Sequence, residues 1–350
     1  MKMPTITVVV PTFNRLGLLK RTMKSIRNLS PAPDEIVVVD DHSEDVGVVN
    51  YLTKIEGINL HINKKNLGDF ENMAEGIKLA KSDYVIICQA DDLMLPDAIG
   101  VYKEKMQVYG SRPGVYITGG FMINELDAVT GKVMPFKNDM YMRPPRCVKE
   151  FWNHCWFNLL IGGWTAYRRD VFDRVGFWGR KYGRIGENEM SMKILPRYDV
   201  CFIAKPTFAY RVHSAQLGAN VPIGEEYARG INESRDSARV LYDFERDQLI
   251  IRSFTPYEKQ KRVFVRKPLA YFLCVSIFFL SVGNVTRAKK FFDLFMEVYP
   301  KPIFSKVTAV IFFQWMVRLG HEYLVNLWLR VRYRDKPIHE IMEQLNWGAV

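Results

Sequence analysis

The chain has 350 residues, 48% of them apolar and 25% charged, which excludes a disordered or collagen-like protein and allows one large domain plus a smaller one, or two of similar size. Its five cysteines (Cys88, Cys147, Cys155, Cys201 and Cys274) form no Cys-x-x-Cys pair; this argues against a structural zinc site and a dense disulfide framework and suits a reducing, cytosolic setting. The net charge of +11 is uneven: residues 250–350 hold 16 Lys and Arg against 7 Asp and Glu, a balance of +9, which leaves +2 for the first 249 residues.

Residues 5–10 (TITVVV) are a short, continuous β-branched run, the pattern of a strand buried on both faces, and Pro11, Thr12 and Asn14 end it. No secretory signal is expected, because this run is short and no small-residue cleavage site follows. Residues 16–26 place Leu18, Leu19, Met23 and Ile26 at helical spacing. A second buried strand at 35–39 closes at Asp40-Asp41-His42-Ser43, and a third is expected at 58–62. Residues 70–80 predict an amphipathic helix with Met73, Ala74, Ile77 and Leu79 inward. A fourth strand at 84–88 (YVIIC) ends at Gln89-Ala90-Asp91-Asp92, and Pro96 opens another helix.

Such alternation predicts a parallel sheet with right-handed crossovers. Open parallel sheets bind ligands at the carboxyl ends of their strands. Here three strands end in Pro-Thr-Phe-Asn, Asp-Asp-His-Ser and Gln-Ala-Asp-Asp, and together they make a candidate site. One more strand is expected at 115–123 and a flexible turn beside an aromatic at Gly162-Gly163-Trp164; 186–194 (GENEMSMKI) reads as a loop entering a helix, and 202–211 contains Pro206 and leads to Tyr210-Arg211-Val212-His213. Beyond residue 223 the pattern changes to long helices.

Two readings stay open for each acidic pair. Asp91 and Asp92 suit a hard divalent cation that keeps positions for substrate phosphates, or else cap the helix near Pro96. Asp40 and Asp41 suit the N3–H of a pyrimidine or ribose hydroxyls, or else form a turn that needs no ligand.

In combination, VVVPTFNR, EIVVVDDHS, NLGDFEN and DYVIICQADD, in this order and at these gaps, resemble the family 2 glycosyltransferases with the GT-A fold, over residues 6–213. The resemblance implies a GT-A-like α/β domain at 1–222, a mostly parallel sheet flanked by helices, joined to a basic C-terminal helical domain at 223–350. It implies that Thr12, Phe13, Asn14 and Arg15 meet the nucleotide, with Asp40 and Asp41 on the base or ribose. Asn66 and Gly68 would shape the pocket wall. Asp91 and Asp92 match the family's acidic motif and imply a manganese or magnesium ion, with Asp91 the direct ligand. The first acid of that motif is Gln89 here; its amide still suits ribose, while the site loses one negative charge.

Gly162, Gly163 and Trp164 match the segment that lines the acceptor side, and Trp164 stands open between an acceptor-stacking role and a core one. The general base of the family is the Asp of a Glu-Asp pair, and this chain reads Glu187-Asn188-Glu189. The register of Met192 and Ile194 places Glu189 at the base; a register one residue earlier leaves Glu187 as the nearby acid. In Tyr210-Arg211-Val212-His213, the resemblance gives Arg211 to the diphosphate and His213 to the metal, with a structural role for that histidine equally open.

The implied reaction is inverting transfer of a sugar from a UDP- or dTDP-linked donor to the hydroxyl of a glycan or lipid-linked acceptor. A non-catalytic binding module that retains the fold stays open, kept alive by Gln89 and Asn188, as does a nucleotidyltransferase, although PTFNRLG is no Gly-rich triphosphate loop. The tail is uncharged over 268–286 and then mixes Phe312, Trp315 and Trp328 with arginines. That mixture suits a helix on the anionic inner face of a membrane, or a bundle that packs on itself or on a second subunit. No nucleic-acid-reading motif accompanies the charge.

Overall fold

The structure is a computed structural model and describes residues 3–134, 136–148, 150, 162–179 and 186–212. All of them fall in the first of two compact units, Met1–Pro256 and Tyr257–Val350. The expected boundary at 222/223, the basic helical domain, His213 and the side chain of Glu187 lie outside the described residues. Among the described residues no helix is long and apolar enough to cross a membrane.

The elements run β1 (Ile6–Thr12), α1 (Leu16–Arg27), β2 (Glu35–Asp40), α2 (Val46–Leu52), β3 (Asn59–Ile62), α3 (Asp69–Leu79) and β4 (Tyr84–Ile87). They continue with β5 (Leu93–Met94), α4 (Ala98–Tyr109), β6 (Val115–Ile123), β7 (Val129–Val133) and β8 (Met140–Met142). A 3-10 turn (Gly162–Trp164) then leads to β9 (Thr165–Arg168), α5 (Asp170–Val175), α6 (Gly186–Ile194) and β10 (Val200–Arg211).

One sheet has the order β3-β2-β1-β4-β9-β6-β10-β5, with β7 alongside β6 and β8 alongside β10. β1 lies parallel between β2 and β4, and β2 continues parallel to β3. β9 is inserted antiparallel between β4 and β6, so β6 and its parallel neighbour β10 keep the direction of β1. All seven residues of β1 are buried, which explains why its sequence carries no polar alternation.

Helix α3 covers β1 and β2 at close range. A Cβ on Gly76 would overlap the Val9 side chain, so only glycine lets this helix approach the sheet. The register then sets the site: Thr12 pairs with Asp40, Asp40 with Ile62, and Val9 with Ile87. The ends of β1, β2 and β4 therefore open at one edge.

Candidate active site

At the end of β1 the chain makes a turn in which both Asn14 (φ 57) and Arg15 (φ 60) are left-handed. Asparagine tolerates that region; arginine does so at a cost of about 1–2 kcal/mol. The β2–α2 loop holds the turn in place. The Asn14 N–H donates to Ser43 Oγ (2.7 Å), and Asn14 Oδ1 accepts from the N–H groups of Glu44 (3.0 Å) and Asp45 (3.1 Å). Thr12 is buried with its Oγ1 unpartnered, whereas Phe13 is 40% exposed.

Asp40 and Asp41 are both buried, and each is met by the protein's own donors. Asp40 accepts from Ser43 N (3.0 Å) and Ser43 Oγ (2.5 Å). Asp41 accepts from Asn63 Nδ2 (2.9 Å) and Leu67 N (2.8 Å) on one oxygen, and from Gly68 N (2.8 Å) on the other. The Asp41 carboxylate thus fixes the 63–68 loop, the role of a turn anchor. Gly68 takes a left-handed φ of 89, and Asn66 is exposed on the same loop.

At the end of β4 the two acids diverge. Asp92 is buried and its Oδ1 accepts from Arg211 N (2.8 Å), while Thr22 Oγ1 donates to its carbonyl (2.7 Å). Burial, then the neighbouring Asp91, raises its pKa well above the ordinary carboxylate range. Asp91 remains partly exposed, and its Oδ2 meets Arg15 Nη1 at 3.2 Å. Gln89 Nε2 donates to Met73 Sδ (3.3 Å).

The expectation that Arg211 reaches a diphosphate is corrected by its burial. It is 0% exposed; Nε donates to Asp91 O (2.6 Å), Nη1 to Asn124 O (2.9 Å), and the guanidinium also pairs with Asp127. Arg211 is a clamp beneath the acidic loop. Asp92 is corrected in the same way: a carboxylate turned inward onto a backbone N–H offers no open face to a metal.

Trp164 occupies the core, edge-on to Phe208 with ring centroids 6.0 Å apart, which resolves the choice the sequence left open. Gly163 lies against the same Phe208 ring, where any Cβ would overlap it. Glu189 is buried in the first turn of α6, which packs on α5; Oε1 pairs with Lys193 Nζ (2.6 Å) and Oε2 has no partner.

Residues 7–176 match the family model described as "Glycosyl transferase family 2". Those residues are a family 2 glycosyltransferase domain. A 97-residue segment is 34% identical to the poly(ribitol-phosphate) β-N-acetylglucosaminyltransferase TarP of Staphylococcus aureus, covering 26% of this chain and 30% of that protein. A 107-residue segment is 36% identical to the GalNAc(5)-diNAcBac-PP-undecaprenol β-1,3-glucosyltransferase of Campylobacter jejuni, covering 29% of this chain and 35% of that one. The chain thus spans about a third of the length of these two relatives. The crystal structure of residues 1–349 of S. aureus TarS, in complex with UDP-GlcNAc, superposes with a TM-score of 0.55 at 11% identity. That match covers 84% of this chain and 92% of that one, and it shows a shared GT-A-like fold.

In the family 2 domain no group of three or more His, Cys, Asp or Glu among the described residues could hold a metal ion. A closed protein cage is therefore not what these residues offer. Asp91 fits a different mode, in which a hard cation takes one carboxylate and completes its shell with water and substrate phosphates.

The sequence reading overlooked the residues that decide the roles of the acids. Asn63 bridges Asp41 and Asn72 Oδ1 (2.9 Å), and Asn72 Nδ2 returns to Val39 O (3.2 Å). A signal existed: Asn72 stands next to Met73 and Ala74 on the inward face of a helix, where a polar residue needs a partner.

Proposed function

We propose that this chain is an inverting glycosyltransferase that moves a sugar from a nucleoside-diphosphate sugar to an acceptor hydroxyl during surface-glycan synthesis. The observation that carries the reading is the junction of three strand ends at one sheet edge, where the Arg15 turn of β1, held by the β2 loop, crosses onto Asp91 after β4. The names of TarP and the Campylobacter enzyme, and the UDP-GlcNAc bound to TarS, support a glycan acceptor and a UDP-linked donor.

Thr12, Phe13 and the 66–68 loop line the place for base and ribose, and the orphan Thr12 Oγ1 is a polar group that a bound nucleotide would satisfy. Asp91 would hold a manganese or magnesium ion, which supplies Lewis-acid stabilisation of the departing diphosphate. Arg15 provides the accessible positive charge beside it. Glu189 is the general base: an acceptor hydroxyl that reaches its unpartnered Oε2 would lose its proton there as it attacks the anomeric carbon. The basic tail, +9 over 250–350, suits attachment to an anionic membrane surface near a lipid-linked acceptor.

The test is nucleotide release from UDP-, GDP- and dTDP-sugars with manganese, with and without a ribitol-phosphate or undecaprenyl-linked glycan acceptor. Acceptor-stimulated release from one donor supports the proposal. No binding or turnover of any donor by the folded protein sinks it.

A further inference from the structure

Arg211 carries a charge it cannot shed, and its side chain is fully buried. A buried cation is tolerated only beside an opposite charge. Among the described residues, Asp127 is the carboxylate that pairs with this guanidinium. The other partners of the side chain are backbone carbonyls, Asp91 O on Nε (2.6 Å) and Asn124 O on Nη1 (2.9 Å), while Nη2 has none.

Asp127 belongs to the turn between β6 and β7 and to none of the acidic strand ends. Asn124 builds that turn: its Oδ1 accepts from Leu126 N (2.9 Å) and Ala128 N (3.0 Å), and its N–H donates to Ala128 O (3.0 Å). Asp127 itself is left-handed, with φ 63, a region that aspartate tolerates better than most residues. In this turn one Asp127 oxygen meets Arg211 of β10, and the other meets Arg21 of α1. Arg21 Nη1 also donates to Glu125 O (2.9 Å), which ties the turn to the helix.

The charge so secured holds the loop after β4. Arg211 Nε fixes the carbonyl of Asp91, and Arg211 N holds Asp92 Oδ1 (2.8 Å), two contacts on consecutive residues. Without the Asp127 charge the guanidinium is left buried and uncompensated. Its relief is to turn toward water, which releases Asp91 O and leaves the loop with the backbone contact alone.

We propose that Asp127 is a positioning residue of this glycosyltransferase: through Arg211 its charge fixes the backbone at Asp91 and Asp92, and so the edge of the donor site, in the geometry that turnover needs. The effect on turnover rests on the donor site proposed above; the effect on the loop does not.

Asp127→Asn keeps the shape and the left-handed turn and removes the charge, and Asp127→Gly keeps the turn and removes the side chain. In the full chain, amide hydrogen exchange over residues 89–92, read by mass spectrometry, should quicken about tenfold or more in both variants, the scale of one lost hydrogen bond to a charged group. Exchange in β1 and α3 should stay as it was. With a donor that the unmodified protein turns over, kcat per folded molecule should fall about tenfold or more while the donor KM changes less, as expected when reacting groups are displaced slightly. A role confined to stability would lower the midpoint in urea and leave kcat per folded molecule unchanged. Unaltered exchange over 89–92 in a folded Asp127→Asn overturns the clamp, and quickened exchange with unaltered kcat overturns the positioning role. If the unmodified protein turns over no donor, the donor reading fails and takes the positioning role with it, while quickened exchange keeps the hold of Asp127 on the loop.

Discussion

The ends of β2 and β4 carry the same dipeptide, Asp-Asp, and the fold uses the two copies differently. After β2 both carboxylates turn onto the protein: Asp40 onto Ser43, Asp41 onto Asn63, Leu67 and Gly68. After β4 one turns inward to Arg211 N, and the other faces outward to Arg15. A buried carboxylate is tolerated when several N–H groups surround it, and each such charge-assisted bond is strong. At Asp92 burial, then the neighbouring Asp91, raises the pKa, and the single bond from Arg211 N only partly opposes the rise. The lesson is that an acidic pair at a strand end is not a metal site by itself. What marks Asp40, Asp41 and Asp92 as anchors is that each is buried on the protein's own donors.

Substitutions sharpen the contrast, beginning with the greatest loss. Asp41→Ala leaves several buried donors unpaired and should cost on the order of 3 kcal/mol, read as a lowered midpoint in urea unfolding. If the cost is below about 0.5 kcal/mol, the scale of an ordinary surface change, Asp41 is no anchor. Glu189 extends the comparison to a carboxylate with one oxygen paired and one orphaned. Glu189→Gln should lower turnover by about 10²-fold or more while donor affinity is kept, the scale of a positioned general base. Near-normal turnover would shift the role to Glu187.

Asp92 comes next. Asp92→Ala strands the Arg211 N–H and should cost about 1–3 kcal/mol. Asp92→Asn keeps an acceptor there and removes a buried charge, so its stability should match the original protein or exceed it. A larger loss in Asn than in Ala would contradict the inward assignment. The smallest effect on stability belongs to Asp91→Asn, which breaks a partly exposed ion pair worth about 1 kcal/mol or less. That same variant should abolish the strengthening of UDP binding by manganese in calorimetry. If the strengthening survives in a folded protein, the cation lies elsewhere.

Much of this was legible in the chain itself. Among the first four strands β1, β2 and β4 are marked by β-branched runs, and the observed bounds of all four differ from the sequence reading by a residue or two. Strand β9 escaped notice, because Thr165–Arg168 is four residues long and gains its partners only from β4 and β6, which are distant in sequence. Helix α2 was missed too: Val46–Leu52 is a short apolar stretch without helical periodicity, started by an Asp45 side-chain cap. In β10, Pro206 speaks against a strand, yet it sits where the pairing with β6 shifts register, so its missing N–H disrupts no regular ladder.

The candidate site divides along the same line. Local sequence determined that three polar strand ends exist and that acids stand at two of them, because strand length and turn chemistry depend on near neighbours. Tertiary structure alone decided which acid turns inward and which meets Arg15, that Arg211 supports the loop from beneath, and that Trp164 belongs to the core. Those outcomes depend on donors and rings supplied from far along the chain: residues 63–68 for Asp41, Arg211 for Asp92 and Phe208 for Trp164. A carboxylate's fate is set by the hydrogen bonds that reach it, and spacing along the chain does not reveal which ones will.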